Sequence, residues 1–321
     1  MVIEQVIEGK IRKNPDELSQ LYITLVNDLS YSQTYYPKSK TTVYLNNLSS
    51  SVFQRIYKTR RIEQNRIVYF FKTEVPLLVY QYRRFLLFAF AFFAVFVSIG
   101  VISGIYNPDF SKQILGEDYV NTTIENIRKG NPVDIYSSGS NWGSTIGITF
   151  NNIMVGARMY ITGIFGGLGS LYALLRNSVM LGSFQYFFHQ HGELLASMRG
   201  IWLHGTFEIF SMVVESAAGL ILGASVFFPG TYSRFDSFKI GFRDSFKIFL
   251  STIPFTVVAG IIEGYITRFS KEMPVVLNLA IIFGCLFIIG FYFLVYPHIV
   301  HRKIKKQLLT NNLDYDGNAV L

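Results

Sequence analysis

The sequence predicts an all-α fold: a polytopic transmembrane helical bundle with six crossings, the third short or half-membrane, preceded by an N-terminal helical region. Half of the 321 residues are hydrophobic and only 16% are charged, with a mean hydropathy of +0.32. Water-soluble domains carry roughly 25% charged residues. Apolar stretches of about 20 residues also recur, and a helix of that length crosses a hydrocarbon core of about 30 Å.

The chain divides into three predicted regions. Residues 1–84 form a cytoplasmic helical region that ends in an interfacial elbow helix. Residues 85–297 form the transmembrane domain, with an outer loop at 106–144, and residues 298–321 form a cytoplasmic basic tail. The single cysteine, Cys285, excludes an intramolecular disulfide or a cysteine metal cluster.

Two amphipathic helices are predicted within the N-terminal region. Asn14 is a candidate N-cap before Pro15, and Pro37 ends the first helix. Leucines recur at helical spacing in the first helix, and the second carries one apolar face. These faces are formed by Leu18, Leu21, Leu25 and Leu29, and by Leu45, Leu48, Val52 and Ile56. The two helices can pack as a hairpin, the favoured interpretation, or present their faces to a partner.

Basic, aromatic and aliphatic residues alternate from Lys58 to Arg84, with Pro76 interrupting the pattern. This composition is typical of an amphipathic helix lying on the cytoplasmic leaflet. The first span, Phe85 to Ile105, follows it without a charged residue. The six predicted spans are 85–105, 149–175, 178–188, 201–228, 248–267 and 274–296.

Lys and Arg concentrate in segments that should face the cytoplasm. The segments 58–84, 229–247 and 302–306 are basic, whereas the outer loop has more acidic than basic residues. Both termini are therefore expected on the cytoplasmic side of a bacterial cytoplasmic (inner) membrane. An even number of crossings is needed, so Ser178–Phe188 is counted although it has only 11 residues. Membrane lipid accounts for the net charge of +8, and no nucleic-acid partner is predicted.

Ionisable residues inside predicted spans form the candidate site, because charge in a bilayer is costly and usually functional. The predicted intramembrane cluster consists of Arg158, His204, Glu208, Glu215 and Glu263. The three on the fourth span share one helix face, and Arg158, Glu208 and Glu263 could meet at one depth. Glu208 is expected to be the centre, with Arg158 as its counter-charge.

The charges of this cluster do not balance, because three carboxylates face one arginine and one imidazole. Either carboxylates are protonated or a cation is bound. A structural network that fixes helix packing is the favoured interpretation, so no metal and no cofactor is predicted. A proton or cation pathway and a bound metal remain the alternatives.

Glycine pairs four residues apart occur on four spans: Gly100 and Gly104, Gly163 and Gly167, Gly219 and Gly223, and Gly260 and Gly264. Such pairs allow two helix backbones to approach closely. They predict tight packing and a homodimer. No catalytic residues are predicted, because the outer loop has neither His nor Cys and no glycine motif follows a strand. The chain is therefore expected not to be an enzyme.

The fourth span resembles the signature of the stage II sporulation protein M family. The residues are His204-Gly205-Thr206-Phe207-Glu208 and the later run Ala217 to Gly223, with Leu203 where the sporulation proteins have Pro. Further matches are Asn151-Asn152, the run Asn177 to Gly182, and Phe228-Pro229-Gly230. The similarity covers roughly residues 85–296, and the N-terminal region looks like that of Bacteroidetes-type members.

The resemblance implies that family members in spore formers act as a scaffold for peptidoglycan-degrading enzymes during engulfment. The genes of other members often lie beside genes for AAA-type ATPases. The favoured hypothesis is thus a membrane scaffold or anchor, without catalysis, that organises other envelope or cytoplasmic proteins. The alternative is a proton- or cation-coupled transporter or channel that uses the intramembrane residues. A cavity that reaches Glu208 would favour the transporter, and a dry, fully paired cluster would favour the scaffold.

Overall fold

The computed structural model describes residues 4, 15–56, 65–130, 141–270 and 272–317. These residues form helices and turns and no strands, so the all-α class is confirmed. The chain divides into two compact units, 1–65 and 66–321. The predicted cap Asn14 and the first elbow residues, 58–64, lie outside the described residues.

The first unit contains two helices, α1 (Pro15–Tyr35) and α2 (Lys40–Ile56). They pack against each other through Leu25, Leu48 and Val52, which are buried. At the turn, the buried hydroxyls of Ser32 and Thr42 lie 2.6 Å apart. Helix α1 ends before Pro37, whose ring cannot continue a helix, and the chain turns at residues 37–39.

The second unit begins with the elbow, which is helical but interrupted. Helix α3 (Arg66–Tyr69) leads into a π-helical turn, Phe70–Glu74, directly before Pro76 in α4 (Val75–Gln81). The hydroxyls of Tyr292 and Tyr296 donate to the carbonyl oxygens of Phe71 and Lys72 at 3.0 Å. Backbone groups left by the interruption are thereby bonded to the end of the bundle.

Nine further helices follow the elbow in the described residues. They are α5 (Arg83–Tyr106), α6 (Phe110–Leu115), α7 (Glu117–Arg128), α8 (Asn141–Ile161), α9 (Leu168–Gln190), α10 (Leu194–Phe227), α11 (Arg234–Ile261), α12 (Val275–Gly290) and α13 (Tyr296–Gly317). A π-helical turn, Ile262–Ile266, extends α11, and another, Phe291–Val295, joins α12 to α13.

Four of the described helices are long and apolar enough to cross a membrane. Their bounds are Arg83–Tyr106, Leu194–Phe227, Arg234–Ile266 and Val275–Gln307. The helix Leu194–Phe227 is the central one, since 72% of its most apolar stretch is buried, against 17% for Arg83–Tyr106. The bundle core forms around its buried residues, among them Leu203, Val213 and Ala218.

The predicted bounds of the second and third spans are wrong. The expected span 149–175 is broken, because α8 ends in a short turn, Thr162–Ile164, followed by Gly166 and Gly167 at φ +67° and +83°. Residues other than glycine rarely adopt these angles, so the helix stops here. The expected short span 178–188 is part of α9, which has 23 residues. The predicted loop 229–247 is also mostly helical, since α11 begins at Arg234.

Candidate functional site

The site is centred on Glu208, on the middle helix of the bundle. The amide of Asn152, on α8, donates a short hydrogen bond to Glu208 Oε1. His204 lies one turn earlier on α10 and is buried, with 4% of its surface exposed. Residues four apart share a helix face, so the local structure of α10 alone places these two side chains together.

Glu263 enters the site from the π-helical turn of α11. Such turns insert a residue and change the direction of the side chains that follow, and they often occur at functional sites. Glu263 Oε1 lies 4.0 Å from His204 Nε2. The ligand atoms of His204, Glu208 and Glu263 all lie within 4.8 Å of one another.

His204 is oriented by the residue that directly follows this π-helical turn. Its Nδ1 lies 3.1 Å from the hydroxyl of Thr267, which also donates to the carbonyl oxygen of Ile262 at 3.2 Å. A hydroxyl has one proton, so the Thr267 oxygen accepts from Nδ1–H in this network. The imidazole therefore presents Nε2 towards Glu263.

Two cavities meet at Glu208. The first, with a volume of about 610 Å³, is lined by His204, Glu208 and Glu263 and continues to Leu115 and Tyr119 of helices α6 and α7. The second has a volume of about 280 Å³ and extends from Glu208 to Glu215. The residues shared by their walls are Asn152, Met180, Leu181, Glu208 and Ile209.

Glu215 lies outside the three-residue group, seven residues further along α10 or about 10 Å by the helix rise. Thr252 donates to its Oε1 at 2.8 Å, and its carboxylate packs where Gly156 leaves space for it. The structure thus gives the carboxylates of α10 two different environments.

Arg158 is not part of the site. Its side chain is exposed, whereas Gly156 and Asn152 of the same helix face the carboxylates. At 100° per residue, Arg158 is turned by about 200° from Gly156. The expected Arg158–Glu208 pair is therefore corrected: an amide, not a guanidinium, contacts Glu208.

The eight predicted packing glycines all lie where helices of the same chain approach. A Cβ at Gly163 would meet the backbone of Gly219, and a Cβ at Gly223 would meet Gly167. The other pairs meet Val179 and Tyr186 on α9, or Thr149 and Thr145 on α8. These glycines pack the monomer, so they give no support to the predicted homodimer.

Sequence reasoning did not assign Asn152, Thr267 or Gly156 to the site. Asn152 was visible only as part of an Asn-Asn pair, and Thr267 as the end of a predicted span. Their roles depend on which helix faces α10, which no local pattern indicates.

Comparison with protein families identifies two matches. Residues 89–268 match the family described as Stage II sporulation protein M, and residues 2–58 match a domain of unknown function (DUF8413). The chain matches no curated protein and no solved structure. The first match covers more than half of the chain and all five predicted site residues. The chain therefore belongs to the stage II sporulation protein M family.

Proposed function

We propose that the chain crosses the membrane six times, with α8 and α9 as the second and third crossings. The two helices have 21 and 23 residues, which gives lengths of about 32 and 35 Å. Helix α8 runs parallel to α10, because Asn152 contacts Glu208 and Gly163 approaches Gly219. A helix packed along a spanning helix over this length lies in the same layer of the membrane.

The directions of the remaining helices agree with six alternating crossings. Helix α9 is parallel to α5, since Gly100 approaches Val179 and Gly104 approaches Tyr186. Helix α11 is antiparallel to α10, because Glu215 contacts Thr252 while His204 contacts Thr267. First and third crossings must be parallel, and fourth and fifth antiparallel, as these contacts require.

The charge distribution supports an orientation with both termini in the cytoplasm of a bacterial inner membrane. The basic elbow and the basic start of α13 lie at the ends that this topology places inside. Arg158 lies three residues before the inner end of α8. A long arginine near a helix end can reach the interface, which explains its exposed position.

Within this topology, the function that the site supports best is a proton- or cation-coupled transporter or channel without catalysis of its own. The observation that carries the proposal is the cavity of about 610 Å³ that reaches Glu208. A purely structural polar network would be packed against its partners. Here two carboxylates and an imidazole line open space instead.

The depth of the residues supports a path through the outer half of the membrane. His204 and Glu263 lie nearer the outer ends of α10 and α11, and Glu208 lies one turn deeper. The second cavity continues from Glu208 to Glu215, past the polar side chains of Asn177 and Thr256. An ion leaving the outer site would therefore meet a second carboxylate about 10 Å further along α10.

Flux measurements on the full-length chain in liposomes test this proposal. Proton, alkali-ion and divalent-ion gradients are imposed in turn, and uptake is followed with dyes inside the liposomes. We expect uptake of one ion class with the wild type and its loss in Glu208→Gln. The matched control is Glu272→Gln, which removes an exposed carboxylate outside the site. A folded wild-type protein that moves none of these ions contradicts the proposal.

A second candidate, a membrane scaffold or anchor for an envelope-associated complex, is favoured by the N-terminal unit. Its two helices leave large apolar side chains exposed, including Ile23 at 57% and Val43 at 60%. A contiguous patch of exposed apolar side chains marks a protein-binding surface, and this second candidate requires these side chains to form one. Crosslinking in native membranes should identify a partner that Ile23→Asp or Val43→Asp releases. A homodimer remains a further proposal, to be tested by the mass of the particle in mild detergent.

A further inference from the structure

We propose that His204, Glu208 and Glu263 bind a divalent transition-metal ion, of the class of Zn²⁺, Mn²⁺ or Fe²⁺. Three side chains from two helices converge on one point, with their ligand atoms within 4.8 Å of one another. In a tetrahedral site with bonds of about 2.1 Å, ligand atoms are about 3.4 Å apart. Small side-chain rotations would bring the three groups to that spacing around an ion.

The donor set decides the class of ion. An imidazole nitrogen with carboxylate oxygens suits Zn²⁺, Mn²⁺ and Fe²⁺, whereas Mg²⁺ and Ca²⁺ prefer oxygen ligands alone. Soft ions that require thiolates are disfavoured, because the three-residue group contains no cysteine. Two carboxylates and one divalent cation sum to zero charge, which reduces the cost of placing the site in a low-dielectric region.

The surrounding hydrogen bonds match those of a metal site. Metal-binding histidines usually donate their other ring nitrogen to an oxygen, which fixes the tautomer. The contact between His204 Nδ1 and the Thr267 hydroxyl has this arrangement, because that hydroxyl donates to Ile262. Asn152 likewise holds Oε1 of Glu208 through its amide. The supporting groups come from α8 and α11, so all three helices are needed to form the site.

The cavity supplies the remaining requirement, an entry route. Its wall continues from the three ligands to Ile114, Leu115 and Tyr119 at the outer side of the bundle. An ion can therefore reach Glu208 from outside, and open coordination positions remain for water. These are features of an exchangeable site and not of a closed structural one.

The movement of the ion rests on the proposed function, whereas the binding of the ion does not. The two proposals can therefore fail separately. Metal binding without flux would retain the site and refute transport. Flux of protons or alkali ions by a chain that binds no metal would retain transport and refute the site.

Cobalt(II) is the probe, because its visible absorption reports nitrogen and oxygen ligands directly. The full-length chain in nanodiscs is titrated with Co²⁺, and Zn²⁺ or Mg²⁺ is then added as a competitor. We expect one bound Co²⁺ per chain that Zn²⁺ displaces and Mg²⁺ does not. His204→Asn, Glu208→Gln and Glu263→Gln should abolish the absorption, and Glu272→Gln should keep it.

Thr267→Val covers the case in which a ligand variant fails to fold. It keeps all three ligands and removes only the oxygen that orients His204, so we expect the affinity for Co²⁺ to fall about 10–100-fold. The melting temperature of each variant is measured in parallel. A wild type that gives no Co²⁺ absorption, or folded ligand variants that keep it, would overturn the proposal.

Discussion

The contact between α5 and α9 allows a sharp test of the bundle, through the substitution Gly100→Ala. A Cβ at Gly100 would fall inside the contact distance of the Val179 carbonyl oxygen and 3.1 Å from the backbone nitrogen of Ser183. Both contacted atoms are backbone, so no side-chain rotation can relieve the overlap. The two helices must therefore separate. This also opens the neighbouring contact between Gly182 of α9 and Val97 of α5, which is equally close.

The magnitude follows from two opposing effects. Replacing glycine by alanine within a helix stabilises it by roughly 0.5–1 kcal/mol. Overpacking a tightly packed contact costs about 1–3 kcal/mol. Gly284, within α12, is the matched control, because a Cβ there meets nothing within 4 Å. Gly284→Ala should therefore be neutral or stabilising, and Gly100→Ala should be less stable than it by about 1–3 kcal/mol.

Thermal unfolding of both variants in mild detergent, followed by intrinsic fluorescence, measures this difference. Equal melting temperatures for Gly100→Ala and Gly284→Ala would refute the close contact between α5 and α9. The parallel direction of these two helices, and with it part of the support for six crossings, would then be lost.

Three further predictions concern the deeper carboxylate, the elbow and the topology. Glu215→Gln should keep Co²⁺ binding but slow any ion flux, because its side chain lies outside the three-ligand group; loss of Co²⁺ absorption would contradict this. Burial, together with the nearby charge of Asp244, raises the pKa of Tyr82 to about 12. The contribution of the Tyr82 hydroxyl to stability should therefore be complete below pH 10, which is the ordinary pKa of tyrosine, and it should decrease as the pH rises through about 12. Tyr82→Phe should remove that alkaline loss of stability in unfolding measurements. If the pH dependence of stability is the same in Tyr82→Phe and the wild type, Tyr82 is not its cause. Reporter fusions should place Asn121 outside and Asp236 inside, and the opposite result at Asp236 would rule out six crossings.

Part of the site could be predicted from the sequence because it depends on one helix. His204 and Glu208 are four residues apart on a long apolar segment, so their common face follows from the helical period. The sequence also assigned Glu263 to the cluster, from its expected depth, but the helical period could not give the direction of its side chain. Its direction depends on the π-helical turn Ile262–Ile266, and nothing in the local composition indicates that turn.

The error over Arg158 has the same origin. Charge balance made it an attractive partner for Glu208, but balance gives no information about rotation around a helix axis. The polar face of α8 that meets α10 contains Asn152 and Gly156 instead. The sum of charges left protonated carboxylates and a bound cation as alternatives, and it identified Arg158 as a partner that the structure does not place beside Glu208.

Apolar composition is a local property, so the sequence by itself determined that this is an all-α membrane protein and where its four most apolar helices lie. The residues of the α1–α2 hairpin followed from period and proline positions in the same way. Only the tertiary structure decided that Gly166 and Gly167 divide the predicted second span, because the apolar pattern continues through the turn. It also decided which polar groups face Glu208, since the rotation of each helix depends on how it packs against its neighbours.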